Sequence, residues 1–159
     1  MFQYRFCTEE DFPVWLELNR AFMEEEIQDN SLWNCVDQDE TEKFYRTFCK
    51  ARKENDFIRL FLFEVDGQTI GFANVLIIFS VWAHGKALVL DDLYLLPEFR
   101  GKGFGGQALQ FIETYAQQIG CMRLQFQSEE SNRGAMKFYK AMGYTPMDMK
   151  FYVKSFEVG

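Results

Sequence analysis

The sequence predicts an α/β protein of the α+β type: a single mixed, mostly antiparallel sheet of six to seven strands with helices on both faces. Three observations carry that expectation. The chain has 159 residues, 48% apolar and including 18 phenylalanines, enough for one domain over 1–159 with a substantial core. Its part before Pro97 carries two tight hairpin signals, Asp66-Gly67 and His84-Gly85-Lys86. Its second half alternates helical and strand patterns, as crossover connections require.

Residues 2–6 read as a short strand. Thr8 caps a helix with acids in its first turn that runs to about Ile27, with Phe12, Trp15, Leu16, Phe22 and Met23 along one side. Residues 28–38 look irregular. A second helix covers about 39–54, with Phe44, Phe48 and Ala51 inward. Phe57 to Val65 is a strand, Asp66-Gly67 turns it into a second at about 69–80, and the next turn leads to Ala87–Leu96. Pro97 to Gly101 is a loop. A helix follows from about 103 to 119, closed by Gly120. Met122–Gln127 is a strand. Ser131 or Asn132 caps a helix that Gly143 ends, and Tyr144–Lys154 supplies one or two final strands.

Composition narrows the function. The net charge is −7, which disfavours a basic nucleic-acid-binding face and suits a cationic partner. Four cysteines without a CxxC spacing and one histidine, His84, argue against a zinc site and for reduced thiols in a cytosol. The N-terminus has acids where a signal peptide needs an apolar run. The most apolar stretch, Phe72–Ala83, is broken by Asn74 and Ser80 and falls short of the about 20 residues that span a bilayer. The reading is a soluble, cytoplasmic protein without nucleic-acid or membrane partners and without a metal.

Arg100-Gly101-Lys102-Gly103-Phe104-Gly105-Gly106 is the most informative segment. It follows a strand and opens a helix, where unpaired N–H groups and positive potential suit a pyrophosphate, and its glycines let a ligand approach the backbone. Gly101, Gly103 and Gly106 fit the dinucleotide pattern GxGxxG, so an NAD(P) oxidoreductase is one reading. Four residues intervene between strand and first glycine, and too few crossovers follow for a doubly wound sheet.

Arg100-x-x-Gly103-x-Gly105 resembles the R/Q-x-x-G-x-G/A signature of the GNAT superfamily of N-acetyltransferases. Asn132-Arg-Gly-Ala135-Met-Lys-Phe-Tyr139-Lys-Ala-Met-Gly143-Tyr144 is similar to a second signature of that family. Trp82-x-x-Gly85-Lys86 running into Asp91-Asp92 resembles the polyamine (diamine) acetyltransferase branch, where a Glu-Asp pair occupies the two acidic positions. The resemblance implies acetyl-CoA as co-substrate and a sheet splayed between the fourth and fifth strands. It places the pantetheine arm along Leu93, Tyr94 and Leu95. The pyrophosphate falls over the N–H groups of Gly101, Lys102, Gly103, Phe104, Gly105 and Gly106, with Arg100 adding charge. Asn132 and Ala135 line the arm from the other side, and Tyr139 reaches the sulfur. Dimers are common in that family, so a homodimer is an expectation too.

Acetyl transfer to an amine needs a proton sink, an oxyanion donor and an acid for the departing thiolate. Tyr139 is the candidate acid, since a phenol near pKa ~10 stays protonated at neutral pH. Asp91 and Asp92 stand inside an otherwise apolar strand, where carboxylates are costly without a task. By resemblance Asp91 is the base, acting through water, and on a regular strand Asp92 points to the opposite face. Asp91, Asp92, Glu25, Glu26 and Trp82 are the candidate acceptor contacts, and Trp33 is a further candidate wall. The expected activity is acetyl transfer from acetyl-CoA to a small cationic primary amine. A non-catalytic acyl-CoA sensor on the same fold is the alternative outside enzymology.

Overall fold

The computed structural model describes residues 1–29 and 40–156. Most of the expected 28–38 segment, Trp33 included, lies outside the described residues. Two compact units are present, Met1–Gln127 and the residues from Ser128 onward.

The first unit holds the sheet. Strand β1 (Phe2–Phe6) is followed by a 3-10 turn (Glu9–Asp11), helix α1 (Phe12–Asp29) and helix α2 (Thr41–Lys53). Then come β2 (Ile58–Val65), β3 (Gln68–Ser80), β4 (Gly85–Leu95), a 3-10 turn (Pro97–Phe99), α3 (Phe104–Gln118) and β5 (Arg123–Gln125). The strand order is β1-β2-β3-β4-β5, antiparallel as far as β4, with β5 parallel to β4.

Side-chain alternation on β2 explains why both faces carry helices. Leu60 and Leu62 join Trp15, Leu16 and Leu18 of α1 and Phe48 of α2. Their neighbours point the other way: Phe61 meets the Tyr115 ring of α3 at 5.1 Å, and Phe63 stacks on Phe2, which stacks in turn on Phe104 and Phe111 of α3. Both hairpins turn through left-handed residues, Asp66 and Gly67 in the first and His84 in the second. At Gly71 the strands approach so closely that a Cβ would lie 2.2 Å from the Tyr94 carbonyl oxygen, so only glycine fits opposite the end of β4.

An ion-pair knot ties the entry of α1 to the sheet. The Arg5 guanidinium donates to Asp11 Oδ2 and Oδ1 at 2.7 and 2.8 Å and to Glu64 Oε1 at 2.8 Å. The Thr8 backbone N–H and hydroxyl also donate to Asp11 Oδ2, at 2.6 and 2.9 Å. The Arg5 bonds outweigh burial and hold the Asp11 carboxyl down at about 2. A depressed carboxyl stabilises the fold above its ordinary value and loses that stabilisation as pH falls through the folded one. Asp11→Asn is therefore expected to cost about 1–3 kcal/mol at neutral pH through lost charge-assisted bonds. Urea unfolding at pH 7 and again between about pH 4 and 2 checks this: the variant should lack the wild type's loss of stability in the acid window.

The sheet has five strands among the described residues, not six or seven. Residues 144–154 form no strand there. A strand exists by pairing its N–H and C=O groups, and among its described residues the second unit offers one helix, α4 (Arg133–Ala141), and no strand to pair with inside it.

Candidate active site

The glycine loop lies as the sequence predicts, between β4 and the start of α3. Arg100 N–H closes the 3-10 turn onto the Pro97 carbonyl at 3.2 Å. Gly101 and Gly103 have φ of 72° and 84°, a region that disfavours other residues. A Cβ at either would meet nothing within 4 Å, so backbone conformation and not crowding demands glycine. Gly103 is the N-cap of α3, and its carbonyl accepts from Gln107 N–H at 3.2 Å. The N–H groups of Phe104, Gly105 and Gly106 precede that bond and have no partner within the helix. Open space over the loop and unspent donors at a helix start fit a pyrophosphate. The Phe104 ring packs between Phe2 and Phe99, so only its backbone faces the loop's task.

Arg100 is held by α1. Its Nε donates to the Leu95 carbonyl at 2.8 Å, and its Nη2 lies 3.0 Å from both Glu25 oxygens. The Tyr94 hydroxyl donates to Glu25 Oε1 at 3.2 Å, and the guanidinium sits 5.1 Å from the Tyr94 ring centre. Glu25, a candidate acceptor contact from the sequence, is thus engaged in fixing the loop. The Lys102 ammonium lies 5.5 Å from the Phe99 ring centre.

The β4 edge opens where the resemblance implies. β4 pairs with β5 only from Ala87 to Val89, whereas its ladder with β3 continues to Leu95. Among the described residues, Leu93, Tyr94 and Leu95 therefore have a ladder neighbour on the β3 side alone. The opened stretch begins just before the acidic pair. There the β3–β4 register shifts: Val75 opposes Leu90 and Asn74 opposes Asp92, so Asp91 is an extra, bulged residue. The bulge breaks the alternation that would send the two carboxyls to opposite faces. Asp91 is the more exposed, and partial burial raises its pKa above the ordinary carboxylate value.

Asp92 is half-buried and accepts from Asn74 Nδ2 at 2.8 Å. Burial pushes its carboxyl up to about 6, against the Asn74 hydrogen bond and with help from the Asp91 charge. Asn74 is itself buried. Its Oδ1 accepts from the Trp15 indole at 3.4 Å, and its Nδ2 also reaches Asn19 Oδ1 at 3.5 Å. Asn19 Nδ2 donates back to the Trp15 carbonyl at 2.7 Å. Sequence reasoning missed Asn19 and Asn74 as site residues. The available signal was an asparagine on the apolar side of α1 and another inside the apolar run of β3.

In the second unit, Asn132 caps α4 by accepting from Ala135 N–H at 3.1 Å. Tyr139 packs against Phe138 and edge-on to Tyr144, with ring centres 5.3 and 6.4 Å away. Burial raises its pKa, so the phenol is protonated at neutral pH. Glu26 lies one residue beyond Glu25 on α1. The structure does not bring Trp82 to the acidic pair: it occupies the β3–β4 turn, and the seven residue steps along β4 from Gly85 to Asp92 span about 23 Å. Among the described residues, no group of three His, Cys, Asp or Glu side chains could hold a metal, and no helix is long and apolar enough to cross a membrane. Burial raises the Cys121 thiol, which leaves it protonated and unreactive at neutral pH.

A mixed sheet opened after β4, a glycine loop at the start of the crossover helix and acids at the opening define an acyl-transferase type of α+β domain. The chain belongs to the acetyltransferase (GNAT) family, whose model matches residues 15–144 and so reaches into both units. It is 37% identical over 97 residues to the uncharacterized N-acetyltransferase YhfO of Bacillus subtilis, which covers 61% of this chain and 65% of that one. It is 32% identical over 74 residues to thialysine N-epsilon-acetyltransferase of Bos taurus, covering 46% of this chain and 43% of that protein. The matched stretch is thus less than two thirds of either relative. A transcriptional regulator from Bacillus halodurans C-125 superposes with a TM-score of 0.79 over 98% of this chain and 100% of its own, at 17% identity, which attests to the fold alone.

Proposed function

We propose that the protein transfers an acetyl group from acetyl-CoA to a small cationic primary amine, by direct attack of the neutral amine. The observation that carries this is the carboxyl pair Asp91–Asp92, set at a bulge where the β4–β5 ladder ends. An amine near pKa ~10 arrives protonated, so a carboxylate there both draws the ammonium in and takes its proton. The bovine relative's name specifies an ε-amine as its acceptor, and the chain's charge of −7 suits a cation.

Acetyl-CoA supplies an activated thioester when bound. The N–H groups around Gly101–Gly106 would hold its pyrophosphate, and the free edge of Leu93–Leu95 would pair with its amide-bearing arm. The resemblance assigns Asn132, whose Oδ1 accepts from Ala135 N–H, to the same arm. Tyr139 holds the proton for the departing sulfur.

Gly103→Val is expected to lower acetyl-CoA affinity at least tenfold, about 1.4 kcal/mol, because a branched side chain enters the phosphate space. The φ of 84° adds backbone strain, so the melting temperature should fall modestly while the fold survives. Calorimetry giving unchanged affinity would remove the loop from the cofactor site. The function itself is tested by thiol release from acetyl-CoA over a panel of polyamines, aminoglycosides, small amino compounds and peptide N-termini. Turnover confined to cationic amines supports the reading. Tight CoA binding without turnover on any amine points instead to a sensor.

A further inference from the structure

We propose that Asn74, locked in one orientation by the indole N–H of Trp15, positions Asp92 to be the proton acceptor of the pair, with Asp91 left to attract the cationic amine. This rests on the acetyl-transfer reading above. The resemblance gives the base's role to Asp91; the side-chain geometry favours its neighbour.

The orientation follows from hydrogen-bond inventory. An indole N–H donates and accepts nothing, so the Asn74 atom facing Trp15 at 3.4 Å must be the carbonyl oxygen. The amide nitrogen is then obliged to face the other way, toward Asp92 Oδ2 at 2.8 Å and Asn19 Oδ1 at 3.5 Å. An amide that donates stabilises the carboxylate form of its partner, whereas one that presents its oxygen would stabilise the acid. Asn74 and Trp15 are 7% and 4% exposed, so neither end can turn to water instead. The chain of contacts runs from α1 through β3 to β4, just past the point where β4 loses its β5 neighbour, and on the acetyl-transfer reading the acceptor amine meets the thioester at that opening.

Among the described residues, Asp91 is the charge that acts on Asp92. On β4, Asp91 raises its pKa, and Tyr94 is occupied by Glu25. On β3, Asn74 is the contact and carries no charge. On α1, Trp15 and Asn19 are neutral and Glu25 is matched by Arg100. Asn74 is therefore the group that opposes burial, and it leaves Asp92 near 6, mostly carboxylate at neutral pH yet basic enough to accept a proton.

The test pairs a titration with a rate profile. Carboxyl-carbon NMR of the full chain without ligand follows Asp92, and kcat/KM is measured from about pH 5 to 9 with an active amine. In the wild type the two midpoints should coincide. Asn74→Leu, similar in volume without the donor, should move both upward by about one unit or more, cutting kcat/KM about fivefold or more at pH 6 and by less than about twofold at pH 8.5, with acetyl-CoA KM unchanged. Trp15→Phe should move both the same way by less, since it frees the amide to turn, and it serves if Asn74→Leu fails to fold. A midpoint that moves by NMR while the rate profile stays still overturns the role of Asp92. An NMR midpoint indifferent to both variants overturns the role of Asn74. Both results leave acetyl transfer standing. A wild type without turnover on any amine overturns the acetyl-transfer reading and this inference with it.

Discussion

Turnover of Tyr139→Phe is expected to drop about 10²-fold, with acetyl-CoA affinity little changed. The ring contacts with Phe138 and Tyr144 survive the substitution, because phenylalanine keeps the ring and loses only the hydroxyl. Packing and melting temperature should therefore be nearly preserved. On the proposed reading the lost function is proton delivery to a thiolate of pKa near ~8.5, for which a half-buried phenol held above its usual value is a reservoir that does not ionise at working pH. The loss should fall on kcat and not on KM, since the hydroxyl matters most when charge develops on sulfur. Steady-state kinetics at saturating amine, with acetyl-CoA affinity by calorimetry, checks both halves. Wild-type turnover would return Tyr139 to a packing role on α4.

Much of this architecture was legible because it is local. Asp66-Gly67 turns a hairpin because two adjacent residues adopt positive φ, and Gly120 and Gly143 follow their helices with φ of 80° and 92° for the same reason. The glycine loop is legible for the same cause, since positive φ at Gly101 and Gly103 leaves a mark in composition. What was hidden depends on pairing across the chain. Glu25 meets Arg100 across 75 positions and Trp15 meets Asn74 across 59, and neither contact has a local signature. The bulge at Asp91 is a property of the β3 register, set by which residue opposes Asn74, so β4 read alone gives regular alternation. The expected final strands show the same limit: residues 144–154 have strand-like composition, but composition does not provide a partner.

Replacing the acids one at a time separates their roles. Asp92→Asn keeps the size and a hydrogen bond to Asn74 but removes the negative charge. With cationic amines, turnover at pH 7 should fall about 10²- to 10³-fold and recover with rising pH, because the fraction of neutral amine grows tenfold per unit below pKa ~10. Asp91→Asn should instead raise the amine KM about tenfold with a smaller effect on kcat, as the loss of an exposed charge that attracts an ammonium. Stability offers an independent check. A carboxyl whose folded value, about 6, exceeds its ordinary value stabilises fully below the ordinary value and loses that contribution as pH rises through the folded one. Wild-type protein at pH 8 therefore carries a penalised carboxylate, and Asp92→Asn should match or exceed its melting temperature while turnover collapses. A stable, folded Asp92→Asn with wild-type turnover, beside an inactive Asp91→Asn, would hand the proton to Asp91. If neither variant loses turnover, the base lies off β4.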